Sequence, residues 1–125
     1  MATAISSIIG GEKITGSGHA NINPSDVKDV VREYGHVDVN TAMQAIAAAR
    51  AAFPAWAATT PWQKSEILDR AGTEILARTD ELADLLSREE GKTLVEAKGE
   101  VVRAGQIFKY FAGVVMQPHG QALES

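Results

Sequence analysis

Few side chains in this sequence combine the residue type and spacing that chemistry requires. The three histidines, His19, His36 and His119, fall in loops or near element ends and share no metal-ligand spacing. Neither a zinc site nor a Ser-His-Asp arrangement follows from them. Gly16-x-Gly18 lacks the third glycine and the following helix that a dinucleotide-binding turn needs. The adjacent carboxylates Glu89 and Glu90 would point about 100° apart on a helix, so they cannot flank one scissile bond and read as a solvated face. Lys92, just past Gly91, either places an amine near a phosphate or answers the dipole of the preceding helix. Cysteine is absent altogether, which removes disulfides, thiolate metal sites and a thiol nucleophile. From the residues alone, no catalytic constellation emerges.

The elements that would position these groups centre on the stretch 88–113. Gly91 can take the left-handed conformation that stops a helix. Thr93-Leu94-Val95-Glu96 then fits a capping box that starts the next one. From there Leu94, Ala97, Val101, Ala104, Phe108, Phe111 and Val115 recur at helical spacing and are expected to form the buried face. Upstream, Asp38 suits an N-cap, and Val39, Met43, Ile46, Ala49/Arg50, Phe53 and Trp56 form a helical stripe. Pro54 is expected to kink or end that helix near Phe53. Thr60-Pro61-Trp62-Gln63 is a second capping box, opening a helix that carries Ile67, Leu68, Ala71, Ile75 and Leu76. Thr79 is expected to cap a third helix that buries Leu82, Leu85 and Leu86. Before residue 38 the pattern is strand and turn, with Gly10-Gly11 suited to a hairpin and a short strand within 27–37. The expectation is a single segment over 1–125, with strands and turns at 4–37 and helices at 38–56, 60–78, 79–91 and 93–115.

Composition narrows the classes. Apolar residues make up 45% and charged residues 22%, ordinary for a globular protein, and 125 residues suffice for one domain. The net charge of −4 has no basic block behind it, which argues against nucleic acid and against an anionic membrane surface. No apolar run approaches the roughly 20 residues of a membrane span, and no basic n-region precedes an apolar core. A cytoplasmic location is the default expectation.

Several of these stretches, taken in order, resemble the N-terminal segment of the NAD(P)-dependent aldehyde dehydrogenase superfamily. Ile9-Gly10-Gly11-Glu12 resembles the family's early Ile-Asn-Gly-Glu hairpin, with glycine in place of asparagine. Ile22-Asn23-Pro24 resembles the Asn-Pro that follows, and the run from Ala47 through Phe53-Pro54-Ala55-Trp56 resembles its Ala-Ala-x-x-Ala-Phe…Trp helix. Ile67-Leu68, Glu81-Leu82-Ala83 and Glu89-Glu90-Gly91-Lys92 continue the series. Gly99 to Phe108 is most similar to the ketoglutarate-semialdehyde (2,5-dioxovalerate) dehydrogenase branch.

The resemblance implies a mostly α chain with a short N-terminal β-hairpin. It would be the helical outer layer of an α/β cofactor domain, with the central nucleotide-binding sheet absent. It also implies that the last helix borders a substrate tunnel, where Arg103 would hold the distal carboxylate of an acidic semialdehyde. The alternative for Arg103 is an exposed pair with Glu100. Positions matching Asn21 and Glu89 hold a monovalent cation in some members; a solvated carboxylate is the alternative for Glu89. The family's thiolate nucleophile, Pro-Trp-Asn oxyanion donor and nucleotide fold have no counterpart here. The chain is therefore expected to be a fragment or truncated relative, inactive and without cofactor by itself. The complete enzyme would use NAD or NADP, act on a small-molecule aldehyde and assemble as a homo-oligomer. A non-catalytic helical interaction module is the competing expectation.

Overall fold

The computed structural model describes residues 6–117 and Gly120, so Ala4 and Ile5 of the expected first strand, and His119, lie outside the described residues. Four strands precede four helices: β1 Ser7–Ile9, β2 Glu12–Ile14, β3 Ser17–Ile22, β4 Val30–His36, α1 Val39–Ala57, α2 Pro61–Ala77, α3 Thr79–Glu90 and α4 Leu94–Val114. The strands form two separate antiparallel pairs, β1 with β2 and β3 with β4. The chain divides into two compact units. One takes Met1–Ala58 and Leu85–Lys92, the other Thr59–Asp84 and Thr93–Ser125, so α3 contributes to both.

In the first unit, Gly10 (φ 59°) and Gly11 (φ 90°) turn β1 into β2, with Ile9 opposite Glu12. Two consecutive positive φ angles match the twist of a tight hairpin, and glycine adopts them without steric cost. The β3–β4 ribbon pairs Ser17 with His36, His19 with Tyr34 and Asn21 with Arg32, then breaks register between Asn21 and Ile22. Helix α1 starts at Asp38, whose carboxylate accepts the Thr41 N–H at 2.8 Å. Hydrogen bonding from the Thr41 side chain first, and from this N–H second, holds the Asp38 carboxyl below the usual carboxylate range. Ala45, Ala48, Ala49 and Ala52 of α1 share a groove of about 250 Å³ with Ile8, Ile9 and Gly10. The stripe of Val39, Met43, Ile46 and Phe53 stays exposed, and α1 buries no residue. Of the two outcomes expected at Pro54, a kink or an end, the helix does not end there but runs to Ala57. Pro54 forfeits only its own donation; its carbonyl still accepts from the Ala58 N–H at 3.1 Å, so one more turn closes.

In the second unit, both expected capping boxes are formed, at Thr60–Gln63 and Thr93–Glu96. Each satisfies orphan N–H groups at a helix start and contributes on the order of 1 kcal/mol. Thr79 does not cap α3. It is the first residue of the helix, and its hydroxyl donates to the Leu76 carbonyl of the preceding turn at 2.7 Å. The dipole there is met instead by Asp80 and Glu81 in the first turn, and Arg78 clasps the Glu81 carboxylate at 2.6 Å.

The stripe expected on α4 is buried in part, at Ala97 and Val101. Ala97, Val101, Gly105 and Ala112 are buried, whereas Leu94, Ala104, Phe108 and Phe111 are exposed. The small side chains pack because they let α4 approach α2 closely. A Cβ built on Gly72 would lie 2.8 Å from the Gly105 carbonyl oxygen, and one on Gly105 would lie 2.6 Å from Leu76 Cγ. Lys109 ties the same helices together through Asp69 at 2.9 Å, and Lys98 reaches Asp80 at 2.6 Å.

Gly72→Ala therefore meets backbone that cannot step aside, and it is expected to destabilise the chain by about 1–3 kcal/mol. Gly99→Ala, with open space around the new methyl, should gain about 0.5–1 kcal/mol from helix propensity alone. Urea unfolding followed by far-ultraviolet circular dichroism separates the two. Equal effects of the same sign would contradict close packing at Gly72.

Candidate functional site

The densest polar arrangement lies in the first unit, where the end of β3 and its following loop meet the last turn of α3. The loop is folded by its own side chains. The Ser25 N–H donates to Asn23 Oδ1 at 2.9 Å and the Lys28 N–H to Asp26 Oδ1 at 3.1 Å, both turn geometries natural to Asn and Asp. Asp29 closes the loop by accepting from Asn23 Nδ2 at 3.1 Å. Arg88 of α3 then grips the same carboxylate with two parallel bonds, Nε to Oδ2 at 2.8 Å and Nη2 to Oδ1 at 2.6 Å. Such a fork fixes orientation as well as distance. Gly91 (φ 76°) ends α3 against this loop: a Cβ there would sit 2.7 Å from Pro24 Cγ.

This strut places Glu89, the neighbour of Arg88, at β3. Asn21 Nδ2 donates to Glu89 Oε1 at 2.7 Å. The two residues border a groove of about 370 Å³, whose remaining walls are Val31, Arg32, Tyr34 and Leu85. The pair thus presents amide and carboxylate oxygens, the donor type that hard cations take. Arg32, opposite Asn21 across the ribbon, brings a guanidinium to the same groove. Among the described residues, no three His, Cys, Asp or Glu side chains converge as a metal cage.

The other expected residues sit as follows. Lys92 pairs with Glu90 at 2.6 Å, which occupies its ammonium beside the end of α3. Arg103 lies on the exposed side of α4 in the second unit. The described strands form only antiparallel pairs, and Gly16-x-Gly18 leads into strand β3 rather than into a helix. Two features escaped the sequence. Arg32 and Tyr34 as groove residues depend on strand register. His19 is not in a loop but inside β3, where its ring meets that of His36 at 4.3 Å between centroids. Recognising β3 and β4 as a paired ribbon would have revealed both.

The Asp29 clasp carries a pH signature. Hydrogen bonds from Arg88 first, then Asn23, hold its carboxyl down at about 2, from an ordinary 3.8. A depressed carboxylate contributes stability that is fully present above pH 3.8 and is lost as pH falls through about 2. Asp29→Asn is expected to be less stable than the parent at neutral pH, with the two acid-unfolding curves converging towards pH 2. A constant offset across that range would show that Asp29 does not titrate in this way.

Comparison with known proteins gives these geometries a family. The model of the aldehyde dehydrogenase family matches residues 12–125. An alpha-ketoglutarate semialdehyde dehydrogenase of Haloferax volcanii is 44% identical over 90 residues, covering 72% of this chain and 19% of that protein. An alpha-ketoglutaric semialdehyde dehydrogenase of Bacillus subtilis is 38% identical over 106 residues, covering 82% of this chain and 21% of its own length. Among solved structures, a betaine aldehyde dehydrogenase variant from Staphylococcus aureus in complex with NAD+ superposes with a TM-score of 0.91 at 26% identity. The match covers 98% of this chain and 25% of that one. The chain thus spans about a fifth of the length of the curated relatives it matches. By sequence and by fold, it belongs to the aldehyde dehydrogenase family.

Proposed function

We propose that this chain is an N-terminal segment of an NAD(P)-dependent aldehyde dehydrogenase that oxidises a small acidic semialdehyde, of the ketoglutarate-semialdehyde type, to the acid. The observation that carries the reading is the 44% and 38% identity to two proteins named for that substrate. In the complete enzyme, hydride passes from the aldehyde carbon to NAD(P)+, and residues outside this chain supply the nucleophile and the cofactor site. The chain alone is inactive and binds no cofactor, since it has no cysteine to form a thiohemiacetal. The exposed Val39, Met43, Ile46, Phe53, Phe108 and Phe111 favour this reading over a stand-alone helical module, because a self-sufficient domain would hide more of them.

Within that reading Arg103 is the substrate-binding residue of this segment. Its side chain is exposed on α4. A planar fork of N–H donors is the group that recognises a terminal carboxylate. Asn21 and Glu89 are the proposed monovalent-cation residues, supported by their 2.7 Å contact at the rim of a groove. The complete enzyme works as a homo-oligomer in the cytoplasm.

Two measurements check this. The purified chain, given NAD+ or NADP+ and a semialdehyde, should produce no reduced nucleotide; turnover would sink the fragment reading. In the complete enzyme, Arg103→Ala should raise KM for an acidic semialdehyde about 10- to 100-fold, the worth of a charge-assisted pair. KM for an uncharged aldehyde of similar length should stay put. A parallel rise for both would remove Arg103 from substrate recognition.

A further inference from the structure

The open face of the β3–β4 ribbon carries a second grouping that the dehydrogenase reading does not use. Antiparallel pairing puts His19 and Asn21 on one face with His36, Tyr34 and Arg32 of the neighbouring strand. On that face the rings of His19 and His36 meet edge-on, with centroids 4.3 Å apart and planes at 84°. Tyr34 flanks both, with centroids 5.2 Å from His36 and 6.1 Å from His19. All three side chains are exposed, so a solvated ion can approach.

We propose that His19 and His36 form a two-imidazole site for a divalent late transition metal, Cu2+ above all, on the exposed face of the β3–β4 ribbon. Metal–imidazole bonds are about 2.0–2.1 Å long, and two rings this close can direct one nitrogen each at a common point in adjacent coordination positions. Imidazole prefers Cu, Ni and Zn over the hard cations, and Cu2+ heads the affinity order. Water fills the remaining positions. The ion would clip two strands together at the end of the ribbon farthest from the β3–β4 loop, because Ser17 and His36 begin and finish its pairing. Binding to the folded ribbon only would stabilise it by mass action.

The test is titration of the purified 125-residue chain with CuCl2, NiCl2, ZnCl2 and MgCl2 at neutral pH, followed by calorimetry and copper paramagnetic resonance. The expected result is one saturable Cu2+ per chain, weaker Ni2+ and Zn2+, no Mg2+, and a copper spectrum showing two nitrogen ligands. His19→Gln and His36→Gln, which keep bulk and polarity, should each weaken Cu2+ by at least about tenfold through loss of one metal–nitrogen bond. His119→Gln should leave binding unchanged. Unfolding in urea should abolish the site, because the two histidines meet only through strand pairing. The proposal is overturned if no Cu2+ saturates, if binding survives urea or the double variant, or if copper shows a single nitrogen ligand in the parent chain.

Discussion

The close approach of α2 and α4 at Gly72 and Gly105 constrains much of what surrounds it. Two helices whose backbones come this near can bury only small side chains between them, and the buried residues of α4 are Ala97, Val101, Gly105 and Ala112. None is larger than valine. Several large apolar side chains of these helices are exposed, Trp62 and Ile67 on α2 and Leu94, Phe108 and Phe111 on α4; in the other unit, α1 leaves Val39, Met43, Ile46, Phe53 and Trp56 exposed. Scattered exposed leucines are unremarkable, but aligned faces of this kind mark surfaces built to be covered. The chain spans about a fifth of the length of the curated relatives it matches.

A different interaction organises the first unit. The Arg88–Asp29 fork and the seat of Gly91 against Pro24 fix where α3 ends relative to the loop after β3. Glu89 follows Arg88 directly, so its position opposite Asn21 is a consequence of that strut. The groove beside the pair owes its floor to Val31 and Leu85 and its charge to Arg32 and Glu89. Geometry here is set by polar contacts rather than by apolar burial, and it is correspondingly sensitive to pH and to the loss of a single partner.

What the sequence made legible follows the range of each interaction. Capping boxes at Thr60 and Thr93, the Asp38 cap and the glycine turn at Gly10-Gly11 involve partners within a few residues, and propensity alone identifies them. The Arg88–Asp29 clasp spans 59 residues and the Asn21–Glu89 contact 68, distances over which no spacing rule operates. Only likeness to a family put Asn21 and Glu89 together. On α4 the expected stripe holds at Ala97 and Val101 but not at Leu94, Phe108 and Phe111, because periodicity gives the angle of a stripe but not how far round the helix the packing reaches. Large apolar side chains are the natural choice when the chain is assumed to be its own partner. Thr79 was misread for a related reason: a hydroxyl at a helix junction can accept from the turn ahead or donate to the turn behind, and the chain uses the second option.

We propose that these apolar faces need polypeptide beyond this chain. This is tested most directly by unfolding the purified chain in urea at micromolar concentration, with a dye that binds exposed apolar surface present in a parallel sample. The account predicts strong dye binding before any denaturant is added, and a broad loss of helical signal without a single cooperative step. A monomer that binds no dye and unfolds in one sharp two-state transition would contradict it.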